Sequence, residues 1–230
     1  MPDLPKQLAF DLPLDPRYGR EDFLVSPSNE GAYAFIETWP DWPDPLLRLE
    51  GPPGSGKSHL AAIWATDANG WRVQANEVKA EAVPHLASKG ALVIEDMDRG
   101  ERDEAALFHL LNVARERRGS VLLTGASAAD DWGLRTPDLL SRLRLAPAVR
   151  LESPDDALLK AVLVKLFLDR QLVVDTSVVD YISLRIERSL ARAAEVVAAL
   201  DREALSLGRR ITRPMAARVL GSTAEADETE

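Results

Sequence analysis

The stretch Gly51–Ser58 reads GPPGSGKS and decides the fold of this 230-residue chain. It satisfies the phosphate-loop pattern, in which a Gly and any four residues are followed by Gly-Lys-Ser or Gly-Lys-Thr. Residues 46–49 before it are predicted to form a strand, and residues 59–65 after it a helix. A strand, loop and helix in this order direct backbone N–H groups and the positive end of a helix at a phosphate group.

Each residue type in the loop has a chemical reason. Gly54 and Gly56 let backbone N–H groups converge on phosphate oxygens, because no Cβ stands in the way. Lys57 is expected to reach the β and γ phosphates, and the Ser58 hydroxyl is expected to ligate Mg²⁺. The expected cofactor is therefore ADP or ATP with Mg²⁺. The residues expected to contact the nucleotide are Gly51, Pro52, Pro53, Gly54, Ser55, Gly56, Lys57, Ser58 and His59.

A second motif lies at residues 91–98, which read ALVIEDMD. An apolar strand that ends in acidic residues supplies the carboxylates that a phosphate loop needs beside Ser58. We assign Glu95 to the Mg²⁺ side and Asp96 to the polarisation of a water molecule. Without the phosphate loop, a buried strand followed by an acidic turn would be the preferred interpretation. Thr124, in a further predicted strand over 120–125, is expected to face the phosphates.

The bulk composition limits the class of protein. Lys and Arg number 28 against 37 Asp and Glu, giving a net charge of −9, which disfavours strong, sequence-independent binding to DNA. The chain contains no cysteine, so neither disulfides nor Cys-ligated zinc are expected, in agreement with a cytoplasmic location. No apolar run approaches the length that spans a membrane, and the first residues lack the features of a signal peptide.

The hydrophobic pattern divides the chain into two folded parts. Strands and helices alternate over residues 21–152, which predicts an α/β domain with a parallel sheet flanked by helices. Helical periodicity alone continues over residues 153–220, which predicts a small all-α domain. Residues 1–20 are expected to form an extended tail, and the acidic end, residues 221–230, is expected to be disordered.

The tail contains a candidate docking peptide at residues 7–12, which read QLAFDL. An extended backbone would place Leu8, Phe10 and Leu12 on one side, and Gln7 adds a polar anchor. Such a peptide fits a hydrophobic groove on a partner, although it could equally fold back onto its own domain. The segment resembles the clamp-binding peptides of bacterial replication proteins, which implies the β subunit of DNA polymerase, the sliding clamp, as a partner.

Taken together, the motifs resemble the AAA+ ATPases, in which a phosphate loop and an acidic strand end precede a Ser-Arg helix and a helical lid. Residues 108–112 (FHLLN), 121–125 (VLLTG) and 140–143 (LSRL) are similar to the ATPase domain of the bacterial replication initiator DnaA. The resemblance covers residues 20–220, without the DNA-binding domain that follows in DnaA. An ATPase module of this kind behind a clamp-binding peptide is similar to the Hda-type regulatory inactivators of DnaA.

The resemblance implies roles for two arginines. Arg142 matches the arginine finger of the family, a cation donated across a subunit interface to the nucleotide of a neighbour. Arg188 matches the lid arginine called sensor II, which touches bound nucleotide. DnaA is then the implied partner, and Arg142 would promote hydrolysis of DnaA-bound ATP and so restrain the initiation of replication. Self-association into a homodimer stays open.

Two departures from the family pattern argue against vigorous hydrolysis at the chain's own site. Glu95 stands where DnaA-type proteins usually carry Asp, and the extra methylene shifts the carboxylate in chemistry that is sensitive to placement. The strand that should offer an acidic sensor continues as Ala126 and Ser127. Two other functions remain open. One is a DnaC-like helicase loader or an IstB-like transposition helper that uses its own ATP cycle, and the other is a non-catalytic, nucleotide-dependent adaptor.

Overall fold

The computed structural model describes residues 18–227, with side chains described through Gly221. The described chain divides into two compact units, the first ending at Ser153 and the second beginning at Pro154. The predicted docking residues lie outside the described part of the chain; they are Gln7, Leu8, Phe10 and Leu12.

A parallel five-stranded sheet forms the centre of the first unit. Its strands are β1 (Leu46–Glu50), β2 (Trp71–Gln74), β3 (Ala91–Glu95), β4 (Ser120–Gly125) and β5 (Ala148–Arg150). They are arranged in the order β2-β3-β4-β1-β5, and each neighbouring pair is parallel. This sheet and its flanking helices confirm the fold class predicted from the sequence.

Helices cover both faces of the sheet. Those of the first unit are α1 (Glu30–Ile36), α2 (Lys57–Asp67), α3 (Val83–Leu86), α4 (Glu104–Glu116) and α5 (Pro137–Leu145). Successive strand residues point to opposite faces, so Leu46 packs in a core with α3, α4 and α5, whereas Leu47 packs in a second core with α1 and α2. Burial on both faces explains why the central strands are nearly continuous apolar runs.

The described part of the second unit is helical. It contains α6 (Asp156–Asp169), α7 (Thr176–Ser183), α8 (Leu190–Leu207) and α9 (Arg213–Asp227). The side chains of Asp155, Asp175 and Ser189 accept hydrogen bonds from backbone N–H groups in the first turns of α6, α7 and α8, as N-cap residues do. None of the described helices is both long and apolar enough to cross a membrane.

The last helix is longer than the sequence predicted. We expected a helix over 213–220 and a disordered tail from 221, whereas α9 continues to Asp227. Residues 222–227 read STAEAD and contain neither proline nor glycine. Ala and Glu are among the stronger helix formers, so the local sequence is compatible with continuation of α9 past Gly221.

Two glycines allow the packing at the end of β4 to be tested. A Cβ on Gly125 would lie 2.5 Å from Nε1 of Trp132, whereas a Cβ on Gly31, within α1, would meet nothing within 4 Å. Because the buried Trp132 ring would have to shift, we expect Gly125→Ala to lower the free energy of unfolding by about 1–3 kcal/mol. Gly31→Ala should raise it by about 0.5–1 kcal/mol, since glycine is the poorer helix former. Urea denaturation measures both, and effects of equal sign would contradict this packing.

Candidate functional site

The candidate site lies at the carboxyl ends of β1, β3 and β4. The phosphate loop joins β1 to α2, Glu95 is the last residue of β3, and Thr124 is the next-to-last residue of β4. In a parallel sheet these ends share one edge, which is where open α/β sheets bind ligands. The structure therefore brings the phosphate loop and the acidic strand end to the same edge of one sheet.

Thr124 fixes the acidic turn that follows β3. The residue is 1% exposed, and its hydroxyl oxygen accepts a hydrogen bond of 3.1 Å from the backbone N–H of Asp96. Its carbonyl oxygen accepts a second, of 2.8 Å, from the backbone N–H of Met97. Asp96 has a φ of +55°, which is uncommon for a residue other than glycine. Thr124 thus has a structural role that the sequence did not indicate.

The phosphate loop has a shape that fits a phosphate group. Gly54 and Gly56 have φ values of +71° and +100°, in the region that residues with a Cβ disfavour. Ser55 between them is buried, and its hydroxyl has no hydrogen-bond partner among the described residues, 18–221. A buried hydroxyl without a partner is costly, and a phosphate oxygen in the loop would provide one.

Lys57 is held inside the loop by backbone carbonyl groups. Its Nζ donates hydrogen bonds to the carbonyl oxygens of Gly51 at 2.6 Å and Pro52 at 3.0 Å. Burial lowers the pKa of Lys57, and the nearby charge of Asp98 opposes this effect. An anionic phosphate at the loop would stabilise the ammonium group further, because an opposite charge favours the charged form. The expected contact of Lys57 with the β and γ phosphates stays a prediction.

Ser58 and Glu95 differ in how well they fit Mg²⁺. Ser58 lies in the first turn of α2, directly after Lys57, which is the position of the hydroxyl ligand in phosphate-loop proteins. Glu95 is 4% exposed, and its Oε1 accepts hydrogen bonds from Nε of Arg72 at 2.8 Å and from Nη2 at 2.6 Å. A carboxylate already paired with a guanidinium group fits a role toward Mg²⁺ poorly.

His59 and Arg188 have partners of their own. The Nε2 of His59 lies 2.9 Å from the carbonyl oxygen of Gly19, and its ring meets that of Phe23 edge-on at 5.2 Å. His59 thus contacts the segment before α1. Arg188 belongs to the second unit, where its exposed guanidinium group pairs with Asp156 at 2.9 Å. The expected contacts of both residues with nucleotide stay predictions.

Arg142 lies on α5 and faces an aromatic ring. Its guanidinium carbon is 5.5 Å from the centroid of Phe108 on α4, within the range of a cation–π interaction. Among residues 18–221, whose side chains are described, no carboxylate forms a salt bridge with Arg142. Arg144, on the same helix, pairs with Asp130 at 2.5 Å. Of these two arginines, Arg142 is therefore the one that carries a charge without a carboxylate partner in the described structure.

Sequence reasoning missed Arg72. It lies 23 residues before Glu95, and the two side chains meet only because β2 pairs with β3 in the register that sets Gln74 against Glu95. No spacing rule links an arginine in one strand to a carboxylate in another. The sequence shows only that a basic residue lies in a short predicted strand before the acidic one. That pattern is too common to predict an ion pair between Arg72 and Glu95.

The sequence of this chain is similar to that of a known protein over part of its length. No protein-family model matches the sequence. The chain is 32% identical over 135 residues to a protein of Sinorhizobium fredii described as a putative insertion sequence ATP-binding protein. The alignment covers 50% of this chain and 45% of that protein. This chain therefore aligns with less than half the length of that relative.

Solved structures match over most of the chain. Domain III of the replication initiation protein DnaA from Thermotoga maritima superposes with a TM-score of 0.78 at 18% identity, covering 92% of this chain and 98% of that domain. AMPPCP-bound DnaA from Aquifex aeolicus gives 0.66 at 18% identity, over 80% and 64% of the two chains. Thermotoga maritima RuvB gives 0.66 at 18% identity, over 89% and 69%. The chain therefore shares the fold of these proteins, a parallel five-stranded sheet flanked by helices and followed by a helical region.

Replacement of Lys57 tests the phosphate loop. We expect Lys57→Ala to remove measurable binding of ADP and ATP, since the ammonium group is the fixed cation of the loop, while far-UV circular dichroism stays helical. Lys160→Ala is the matched control, because it removes an exposed ammonium group that pairs with Asp180 in the second unit. Fluorescent nucleotide titration compares the two variants. Undiminished binding by Lys57→Ala would place the nucleotide elsewhere.

Proposed function

We propose that this protein binds ADP or ATP at its phosphate loop and acts on DnaA, promoting hydrolysis of DnaA-bound ATP through Arg142 in trans. In this proposal the tail segment 7–12 docks on the sliding clamp, so the protein acts where the clamp is loaded on DNA. The result is negative regulation of the initiation of chromosome replication, the role of the Hda-type proteins. The observation that carries the proposal is the state of Arg142, a cation without a carboxylate partner among the described residues.

The helix that bears Arg142 is anchored at its beginning. The carboxylate of Glu104, at the start of α4, accepts hydrogen bonds from the backbone N–H groups of Arg135 at 3.0 Å and Thr136 at 2.7 Å. Burial acts to raise the pKa of Glu104, but the bonds from Thr136 and Arg135 outweigh it and lower the pKa overall. The carboxylate is therefore charged at neutral pH, and it holds the segment that leads into α5.

The same helix is also anchored at its end. Arg48 on β1 donates hydrogen bonds from Nη2 at 3.2 Å and Nε at 3.4 Å to the carbonyl oxygen of Ala146, the C-cap of α5. Arg48 is oriented in turn by an ion pair with Glu50, the residue before the phosphate loop. A functional side chain is most effective on a rigid element, and α5 is fixed at both ends on either side of Arg142.

The chemistry of phosphoryl transfer suits this arrangement. Negative charge is spread over the γ-phosphate oxygens in the transition state, and an arginine supplied by a partner can raise hydrolysis by about 10³–10⁵-fold. Arginine remains charged at all relevant pH values, and its planar fork matches phosphate oxygens. The protein's own site is proposed to turn over ATP weakly or not at all, a view supported by the engagement of Glu95 with Arg72.

Paired arginine variants test the proposal. Release of labelled phosphate from ATP preloaded on DnaA is measured with this protein, the clamp and DNA, each omitted in turn. We expect Arg142→Ala to lose the stimulation, by about 10³-fold or to the unstimulated rate, while it retains its fold and its own nucleotide. Arg144→Ala should keep the stimulation, because that side chain is occupied by Asp130. Arg142→Lys should recover little, since lysine lacks the fork.

The outcomes separate the explanations. Full stimulation by Arg142→Ala would refute the mechanism in trans. Equal losses in Arg142→Ala and Arg144→Ala would indicate that α5 contributes as a contact surface and not through one cation. Loss of bound nucleotide together with stimulation would place Arg142 at the protein's own site.

The proposed docking on the clamp has its own test. We expect replacement of Gln7, Leu8 and Phe10 by alanine to abolish co-elution with the clamp, because the groove would lose its polar anchor and two apolar contacts. Nucleotide binding should be unchanged, since the phosphate loop is untouched. Continued co-elution of the triple variant would locate the docking segment elsewhere in the chain.

A second candidate function is favoured by the relative from Sinorhizobium fredii. That protein is named for ATP binding in an insertion sequence, so a transposition helper or helicase loader with its own ATP cycle is the alternative. Turnover of ATP by the isolated protein distinguishes the two functions. Rapid turnover that does not need DnaA supports the helper, whereas a slow basal rate and activity that appears with DnaA supports the regulator.

A further inference from the structure

The carboxylate at the end of β3 is paired with a cation of the protein itself. Both hydrogen bonds from the Arg72 guanidinium group reach Oε1 of Glu95. The Glu95 side chain is 5% exposed and that of Arg72 is 34% exposed. The pair therefore extends from the edge strand β2 to the acidic end of β3, with its carboxylate buried and its cation nearer to solvent.

Arg72 is also positioned from its other side. Its guanidinium carbon lies 5.3 Å from the ring centroid of Tyr18, in the segment that precedes α1. A guanidinium group between an aromatic ring and a carboxylate loses less freedom on pairing than a lysine would, because its fork is planar and rigid. The ion pair is thus built from three elements of the first unit.

This arrangement conflicts with the use of Glu95 for Mg²⁺. Magnesium is usually held by one or two carboxylates together with phosphate oxygens, and such a carboxylate must be available to the ion or its waters. The charge of Glu95 is already balanced by Arg72, which does not deprotonate in proteins. A divalent cation beside Glu95 would also be repelled by the guanidinium group, the more strongly because the carboxylate is buried.

We propose that Arg72 is a built-in counter-ion that occupies the place of Mg²⁺ at Glu95, so that the phosphate loop binds ADP and ATP with little dependence on Mg²⁺. The inference rests on the proposed nucleotide binding and specifies its chemistry. It identifies Arg72 as a residue that determines metal dependence. The alternative is that the pair only joins β2 to β3, in which case its loss affects stability and leaves the metal dependence unchanged.

The experiment compares nucleotide affinity with and without Mg²⁺. Calorimetric titration of ADP and ATP into the full chain, in excess Mg²⁺ and in EDTA, gives the ratio of the two dissociation constants for each variant. We expect a ratio within about threefold for the unaltered protein, and a rise to about tenfold or more for Arg72→Met, where the freed carboxylate can serve the ion. Binding of Mn²⁺ in the presence of ADP, followed by electron paramagnetic resonance, should tighten in the same variant.

Arg115→Met is the matched control. Arg115 lies on α4, pairs with Asp44, and its replacement also removes one cation and one ion pair from the first unit. This variant should keep the ratio of the unaltered protein. Arg72→Lys serves if Arg72→Met does not fold, because it retains a charge but loses the fork; its ratio should then lie above that of the unaltered protein.

Each result decides the question. A ratio of about tenfold or more in the unaltered protein would overturn the inference, since Mg²⁺ would then contribute despite Arg72. A low ratio that neither Arg72 variant raises would also overturn it and would leave the pair as a link between strands. A rise shared by Arg115→Met would attribute the effect to general charge. If the unaltered protein binds no nucleotide under either condition, the proposed function fails and this inference fails with it.

Discussion

The last two residues of β4 hold both loops of the candidate site. The carbonyl oxygen of Gly125 accepts a hydrogen bond of 3.2 Å from the N–H of Gly51, and Thr124 accepts bonds from the N–H groups of Asp96 and Met97. Because β4 lies between β1 and β3, this one strand end fixes the spacing between the phosphate loop and the acidic turn. The Trp132 ring lies so close to Gly125 that a Cβ there would be 2.5 Å from its Nε1, which leaves no room for a larger residue at the end of the strand.

Two arginines of the first unit have opposite environments. Arg72 is paired with a buried carboxylate at the edge of the sheet that carries the phosphate loop. Arg142, in contrast, lies over an aromatic ring and has no carboxylate partner among the side chains of residues 18–221. A guanidinium group is charged in both settings, so the difference lies in what surrounds it. Together, the two proposals describe a protein that binds nucleotide with little or no hydrolysis of its own. Its Arg142 would instead act on the ATP bound to DnaA.

The fold alone does not identify the function of this protein. Domain III of DnaA and RuvB superpose on this chain at 18% identity, which shows that they share its fold. Such a scaffold supports many activities, and function depends on the side chains placed on it. In this chain, three features bear on function. Glu95 is paired with Arg72, and Arg48 and Glu104 hold the two ends of α5. Arg142, on that helix, lies over the Phe108 ring.

The sequence by itself determined the phosphate loop, the strand that ends in Glu95, the alternation of strands and helices, and the change to helices after residue 153. These features depend on local spacing and hydrophobic periodicity, which a single sequence displays directly. Only the tertiary structure decided that Arg72 engages Glu95 and that Arg48 holds Ala146, 98 residues away. Such contacts arise from strand pairing and from the way the helices and strands of the first unit pack together. No local sequence pattern predicts them.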